Sequence, residues 1–273
     1  LAAPALAEWK PNGPVTMVTM FPPGGGGDVL SRAVAKHFED TLGWNVVVDN
    51  KPGGGGAAMA KILKDSPADG MTIGFAVSET FSFAPVMNPK VGYGATDFTF
   101  LGSIANTQIG WIAPADAPYN SLEDLVAAAK DGADIAVGVF SPRSNAAVRA
   151  IGKKFGVTFT PIPFKSGAEG ISNVMNGHVT TTLAAGPQAP HVRAGDLKVL
   201  ASFEADRLVV GADAKTVSES GVDVATFRAK WMLAAPAGLP QEAESAWKAA
   251  VESTMDNDEL RAFITDKMSL KMV

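Results

Sequence analysis

The chain has 273 residues, of which 47% are hydrophobic and 19% charged, and 23 Lys+Arg stand against 28 Asp+Glu for a net charge of −5. That composition excludes global disorder. Its acidic balance argues against a sequence-independent nucleic-acid binder, which needs a basic surface, so no nucleic acid is expected among its partners. There is no Cys, which removes thiolate metal sites, Cys nucleophiles and disulfides. His37, His178 and His191 are too far apart to make a local metal motif, so neither metal nor cofactor is expected. No run approaches the roughly 20 apolar residues of a membrane helix, and the length suits one large domain or two of roughly 100–150 residues.

Residues 1–8 read LAAPALAE. Ala5-Leu6-Ala7 has the A-x-A pattern that precedes a signal-peptidase cut, so residues 1–7 read as a signal-peptide remnant, cleaved near Ala7, of an exported chain. Val15–Met20 is a β-branched and apolar run that predicts a buried strand, ending in Phe21-Pro22-Pro23. Gly24–Gly27 follow, and Asp28 stands where an N-cap belongs to a helix over Val29–Phe38. Val46–Val48 predicts a second strand, Gly53–Gly56 a second glycine loop, and Ala57–Lys64 a second helix. Met71–Val77 is a third strand run. In the middle of the chain, Gly110–Pro114, Ile135–Phe140, Thr158–Phe164, Val179–Ala185 and Lys198–Phe203 read as strands. Ser121 starts one helix, Ser144 caps another from about Asn145 to Phe155, and a third ends near Asn176. Trp231–Ala235 is a last strand run before helices over roughly 241–255 and 258–267. Alternating strands and helices with short loops predict an α/β fold with mainly parallel sheets.

The repeated strand, four-glycine loop and helix carries the functional reading. A helix N-terminus presents unpaired N–H groups and a partial positive charge, and glycines let an anion approach the backbone. Two such loops at the C-terminal edge of a parallel sheet predict a phosphate or carboxylate held by amides. Tight turns and helix–sheet packing are the other explanation of the same glycines. Neither loop is followed by the Lys-Ser/Thr of a P-loop, Gly53-x-Gly55-x-x-Ala58 meets the dinucleotide pattern only in its relaxed form, and no G-x-S-x-G elbow occurs.

Phe21–Arg32 (FPPGGGGDVLSR) resembles the yPxGGgxDxxaR segment of the solute-binding proteins of tripartite tricarboxylate transporters, the TctC or Bug family. Val46–Gly56 (VVVDNKPGGGG) resembles their vVeNrpGAgG segment, and Ala68–Thr72 their PDGyT. Phe164–Gly167, Ala194–Ala201 with Arg207, Thr216–Gly221 and Trp231–Pro240 resemble later family segments, in family order from about residue 15 to 240. The resemblance implies a two-lobed Venus-flytrap fold in the periplasm with two crossovers. Domain 1 would hold 8–107 and 227–273, and domain 2 would hold 108–226. A small organic acid, with a di- or tricarboxylate as first choice, would lie in the interlobe cleft, captured without chemistry by a monomer and passed to membrane permease subunits. The rival is an α/β enzyme acting on a phosphorylated or carboxylated metabolite, with Asp28 or Glu79 as its base.

The candidate ligand-binding residues follow from both lines. On the glycine-loop lobe they are Phe21, Pro23, Gly24, Gly25, Gly26, Gly27, Asp28, Gly54, Gly55, Gly56 and Ala57, with Ser78, Glu79 and Thr80 after the third strand. Asp28 reads as a cap, or as the group that orients a bridging water, because a bare carboxylate repels an anion. On the other lobe they are Arg143, Ser144, Asn145, Lys165, Ser166 and Gly186. Arg143 departs from the family, which usually has a small residue there; its guanidinium suits a second carboxylate. FKSG in place of yKGs and Lys215 in place of a proline are further departures.

Overall fold

The computed structural model describes residues 9–223 and 226–273; the expected signal remnant at 1–7 lies outside them. In chain order the elements are β1 (Val15–Thr19), α1 (Gly26–Leu42), β2 (Val46–Asn50), α2 (Ala57–Lys64), β3 (Thr72–Val77), α3 (Glu79–Met87) and β4 (Phe98–Asn106). There follow β5 (Ile109–Pro114), α4 (Leu122–Lys130), β6 (Ile135–Val139), α5 (Pro142–Phe155), β7 (Phe159–Pro163), α6 (Gly167–Met175), β8 (Thr181–Ala185), α7 (Ala189–Ala194) and β9 (Leu197–Ser202). The chain ends with β10 (Lys230–Pro236), α8 (Gln241–Asp256), α9 (Asp258–Ala262) and β11 (Lys271–Met272). Among the described residues, 9–105, 230–263 and 272–273 form one compact unit, and 106–223, 226–229 and 264–271 a second.

In the first unit the strand order is β11-β4-β10-β3-β1-β2. β1 pairs parallel with both β2 and β3, whereas β10 runs antiparallel to β3. In the second unit the order is β7-β6-β8-β5-β9, with β6 parallel to β7 and β8, and β5 antiparallel to β8 and β9. Each sheet joins a parallel trio to antiparallel pairings: β10 runs against the trio in the first, and β5 runs against it in the second, where β9 again points the same way as the trio. The trio matters most, because its C-terminal ends all open on one edge.

Local chemistry explains the elements. Helix α1 buries Leu30, Val34 and Phe38, spaced by four, and ends at Gly43 in the left-handed region. Trp247 on α8 sits in the first core with Phe38 and Trp44, at ring distances of 5.6 and 4.8 Å, and donates its indole N–H to the Gly70 carbonyl at 3.0 Å. Trp111 centres the second core, 5.2 Å from Phe159, with its N–H on Thr181 Oγ1 at 2.8 Å.

Four elements have weak sequence signals. Helix α3 (ETFSFAPVM) does not sort its polar and apolar residues onto separate faces and contains Pro85, so it lacks the helical period. β4 is interrupted by Gly102 at φ 151°, α7 has six residues, and β11 has two. Helix α9 passes after Ala262 into a π-helix over Phe263–Lys267, so the helical segment expected over 258–267 is present with a wider hydrogen-bond pattern in its second half.

Candidate functional site

The parallel trio of the first unit brings three sequence-selected segments to one sheet edge: Phe21–Asp28 after β1, Gly53–Ala57 after β2, and Ser78–Thr80 after β3. Helix α1 begins at Gly26 with Gly25 as its N-cap and no capping side chain. The N–H groups of Gly26, Gly27 and Asp28 have no acceptor among the described residues, whereas Val29 N–H already bonds to Gly25 O at 3.0 Å. Such groups form an anion-binding surface.

Asp28 is not the cap that its sequence position suggests. It lies in the first turn of α1 with its side chain buried, and it ties the loop together. One carboxylate oxygen accepts from Gly24 N–H at 2.9 Å and Arg32 Nε at 3.1 Å; the other accepts from Asn50 Nδ2 at 2.8 Å and Arg32 Nη2 at 3.0 Å. These four donors fill the acceptor sites of a carboxylate. Burial pushes the Asp28 carboxyl up, but the hydrogen bonds from Arg32, Asn50 and Gly24 outweigh it and hold the group below its ordinary value. The paired Arg32 charge also removes the repulsion that a bare carboxylate would exert on an anion. Asn50 completes the brace by donating to Phe21 O at 2.9 Å. Sequence reading passed over Arg32 and Asn50; the i,i+4 spacing of Asp28 and Arg32 is the signal that could have found the first.

The second loop is built differently. Gly53, Gly54, Gly55 and Gly56 have φ of 137°, 58°, 64° and 98°, so all four lie where side chains are strained. At Gly56 a Cβ would also come within 2.5 Å of Thr80 Oγ1. The N–H groups of Gly53, Gly54 and Gly55 have no acceptor among the described residues. Thr80 is buried beneath this loop, with its hydroxyl near Gly55 O at 3.4 Å and Met20 Sδ at 3.2 Å, so it supports the loop from below. Ser78 is tied to β10, since Lys230 N–H donates to its hydroxyl at 3.2 Å. Glu79 opens α3, Ala57 opens α2, and Pro23 is exposed on the first loop. Phe21 forms an aromatic floor with Trp231 at 4.8 Å and Phe75 at 6.2 Å.

The second unit gathers its candidates in the same way: Arg143, Ser144 and Asn145 follow β6, Lys165 and Ser166 follow β7, and Gly186 follows β8. Here side chains cap α5 and α6, whereas α7 has no capping side chain. Ser141, not Ser144, caps α5, and the helix starts three residues earlier than the sequence suggests because Pro142 fits its first position. Ser144 is fully buried; its Oγ accepts from Phe140 and Ser141 N–H and donates to Ser141 O at 2.8 Å. Asn145 Oδ1 holds Arg149 at 2.9 Å, and Ser166 Oγ accepts from Glu169 N–H at 3.2 Å. Arg143 donates to Thr226 O at 2.9 Å while its guanidinium lies 4.4 Å from the Phe227 ring centroid, which fixes the cation in one direction. Lys165 is exposed.

The two α/β units share the fold of the periplasmic binding protein BugD, with a TM-score of 0.85 at 23% identity over 97% of this chain and 89% of its own. The model of the tripartite tricarboxylate transporter family receptor matches residues 30–270, and the chain belongs to that family. A Cupriavidus necator protein described as a UPF0065 protein in the gbd 5′ region is 26% identical over 273 residues, covering 96% of this chain and 82% of its own. A TctC solute-binding protein from Polaromonas is 27% identical with a TM-score of 0.73, covering 96% of this chain and 91% of its own. Two Rhodopseudomonas palustris structures share the fold. MatC with bound malate has a TM-score of 0.82 at 23% identity over 93% of this chain and 88% of its own; Rpa4515 with adipate has 0.83 at 24% over 96% and 89%.

Proposed function

We propose that this receptor works in the periplasm, binds a small organic acid without transforming it, and passes it to the permease subunits of a tripartite transporter. The observation that carries the reading is the set of unpaired N–H groups of Gly26, Gly27, Asp28, Gly53, Gly54 and Gly55 at one sheet edge. They suit a carboxylate, which accepts several hydrogen bonds at once. Malate and adipate in the two R. palustris proteins favour a dicarboxylate, and Arg143 is the group proposed to meet its second carboxylate. The enzyme alternative finds no base in Asp28, because both of its oxygens are already occupied.

A thermal-shift panel of mono-, di- and tricarboxylates, phosphate and amino acids on ligand-stripped protein tests this. A ligand at 100 times its Kd stabilises the fold by about 2.7 kcal/mol, a shift of several degrees. A carboxylate shift with the ligand recovered unchanged is expected, and Arg143→Gln should weaken only ligands with a second carboxylate. A shift with phosphate alone, or turnover of the ligand, would overturn the reading.

A further inference from the structure

The last residues of the second unit, 264–271, come from the far end of the chain, and they pack on the loop that follows β8. Leu270 is 1% exposed, and its Cδ2 lies 3.7 Å from where a Cβ on Gly186 would stand. Gly186 has φ 104° and no side chain with which to anchor itself, so its conformation depends on what lies against it. The same segment reaches α7, which starts three residues after Gly186: Arg193 donates to Asp266 O at 2.9 Å. It is closed on itself by Leu270 N–H on Ile264 O at 3.0 Å, with Ile264 fully buried. On another side, Lys271 pairs with Asp206 at 2.8 Å.

The contact is kept against local unfavourable terms. Ser269, beside Leu270, is the one described non-glycine residue with positive φ, at 54°. Among the described residues only three buried side-chain polar atoms lack a hydrogen-bond partner, and two of them, Ser269 Oγ and Gln188 Oε1, flank this contact. Gln188 is held in place by its other end, which donates to Gln108 O at 2.7 Å. Backbone strain and unpaired buried polar atoms persist where the surroundings impose a geometry.

We infer that residues 264–271 are a brace that sets the conformation of the Gly186 loop and, through it, the affinity for ligand. Leu270 acts as a positioning residue. The affinity half rests on the carboxylate-receptor reading; the brace itself does not.

Hydrogen exchange at the Ala189 amide, which bonds to Gly186 O at 3.1 Å, reads the loop without any ligand. Leu270→Ala should speed that exchange by about tenfold, because it opens a gap against Gly186, and should leave Leu183 in β8 unchanged. Leu270→Met, of similar volume, should restore it. If Leu270→Ala does not fold, Arg193→Met removes the other tie at an exposed position and should also speed Ala189 exchange. Malate and adipate then serve as probes of affinity, which should fall with Leu270→Ala and return with Leu270→Met. Unchanged Ala189 exchange in a folded variant overturns the brace. Faster exchange with unchanged affinity overturns its link to binding. Failure of every carboxylate to bind the wild type overturns the receptor reading and leaves the exchange result to judge the brace alone.

Discussion

Helix α1 begins at Gly26, after Gly24 and Gly25, and leaves three N–H groups open, whereas α5 begins at Pro142, which has no N–H to offer, after Ser141, whose hydroxyl takes the Ser144 N–H. Both helices follow a strand of a parallel trio at the same kind of sheet edge. The difference lies in which atoms are left for a ligand. The α1 end withholds side chains and exposes backbone; the α5 end is capped by Ser141 and carries a cation, Arg143, oriented by Thr226 O and the Phe227 ring. An amide cradle suits any carboxylate, so by itself it does not choose among them.

The strongest way to break this comparison is within one loop. At Gly27 a Cβ would lie 2.2 Å from the Phe21 ring, while at Gly26 it would meet nothing within 4 Å. Gly27→Ala should therefore destabilise the protein by about 1–3 kcal/mol and abolish carboxylate binding. Gly26→Ala should leave stability unchanged or raise it by about 0.4–1 kcal/mol, yet weaken binding because the methyl group stands on the open amide face. Thermal melts with calorimetric titration separate the two. Full affinity in Gly26→Ala would remove this face from the site.

These two glycines also show what a sequence conveys. The double strand–glycine–helix pattern was legible because strand and helix periods and four-glycine runs are local signals. That Gly27 is required by the Phe21 ring and Gly26 is not depends on where a side chain folds back, which no spacing encodes. Asp28 makes the same point. Its position suggested a cap, but its role comes from Asn50 at the end of the neighbouring strand, 22 residues away. Ser144 looked available and is buried, because Pro142 lets the helix start earlier. Helix α3 gives no periodic signal because its polar residues are not gathered on one face and Pro85 interrupts it.

Asp28→Asn tests the brace of the open loop. The amide would retain shape but turn a donor toward Gly24 N–H or Arg32, so a loss of about 1–3 kcal/mol is expected by denaturant titration, together with weaker binding. The matched change in the closed region is Ser141→Ala. Loss of that cap should lower stability by about 1 kcal/mol and leave affinity for a monocarboxylate unchanged. If Ser141→Ala weakens monocarboxylate binding as much as Gly26→Ala does, the division between open and closed helix ends is wrong.

Acid should separate the units further. His37 in the first unit is buried between Ser253 at 2.9 Å and Thr41 at 3.3 Å, and burial holds its imidazole below the ordinary value of 6.5 despite Asp40 nearby. A lowered histidine favours the folded state when neutral, so its contribution is complete above pH 6.5 and is lost as pH falls from there through the folded value. Asp28 follows at lower pH: its contribution is present above about 3.8, the usual carboxylate value, and disappears as pH falls through its lowered folded value. In the second unit, hydrogen bonds from Arg207 and Thr216 pull Glu219 down to about 2, so its contribution outlasts that of His37. Hydrogen exchange during acid titration should show the α1–α8 contact loosening before the Arg207–Glu219 segment, and His37→Gln should flatten the change between pH 7 and 5.

Salt gives the smallest effect and the sharpest sign. The charged groups beside the glycine loops are paired, Asp28 with Arg32 and Asp49 with Lys51, so a carboxylate bound there meets neutral amides. Screening has little attraction to remove, and a net charge of −5 means that salt weakens a mild repulsion. Affinity for a monocarboxylate should therefore change by less than about twofold between about 0.02 and 0.5 M salt, and any change should be upward. A dicarboxylate that engages Arg143 adds an attraction between full charges, so its affinity should fall over the same range. Arg143→Gln should convert the dicarboxylate's salt response to that of the monocarboxylate, as read by titration calorimetry at several ionic strengths. A monocarboxylate whose affinity drops steeply with salt would mean that a cation, not the amide cradle, holds the first carboxylate, and the contrast between the two units would then be reversed.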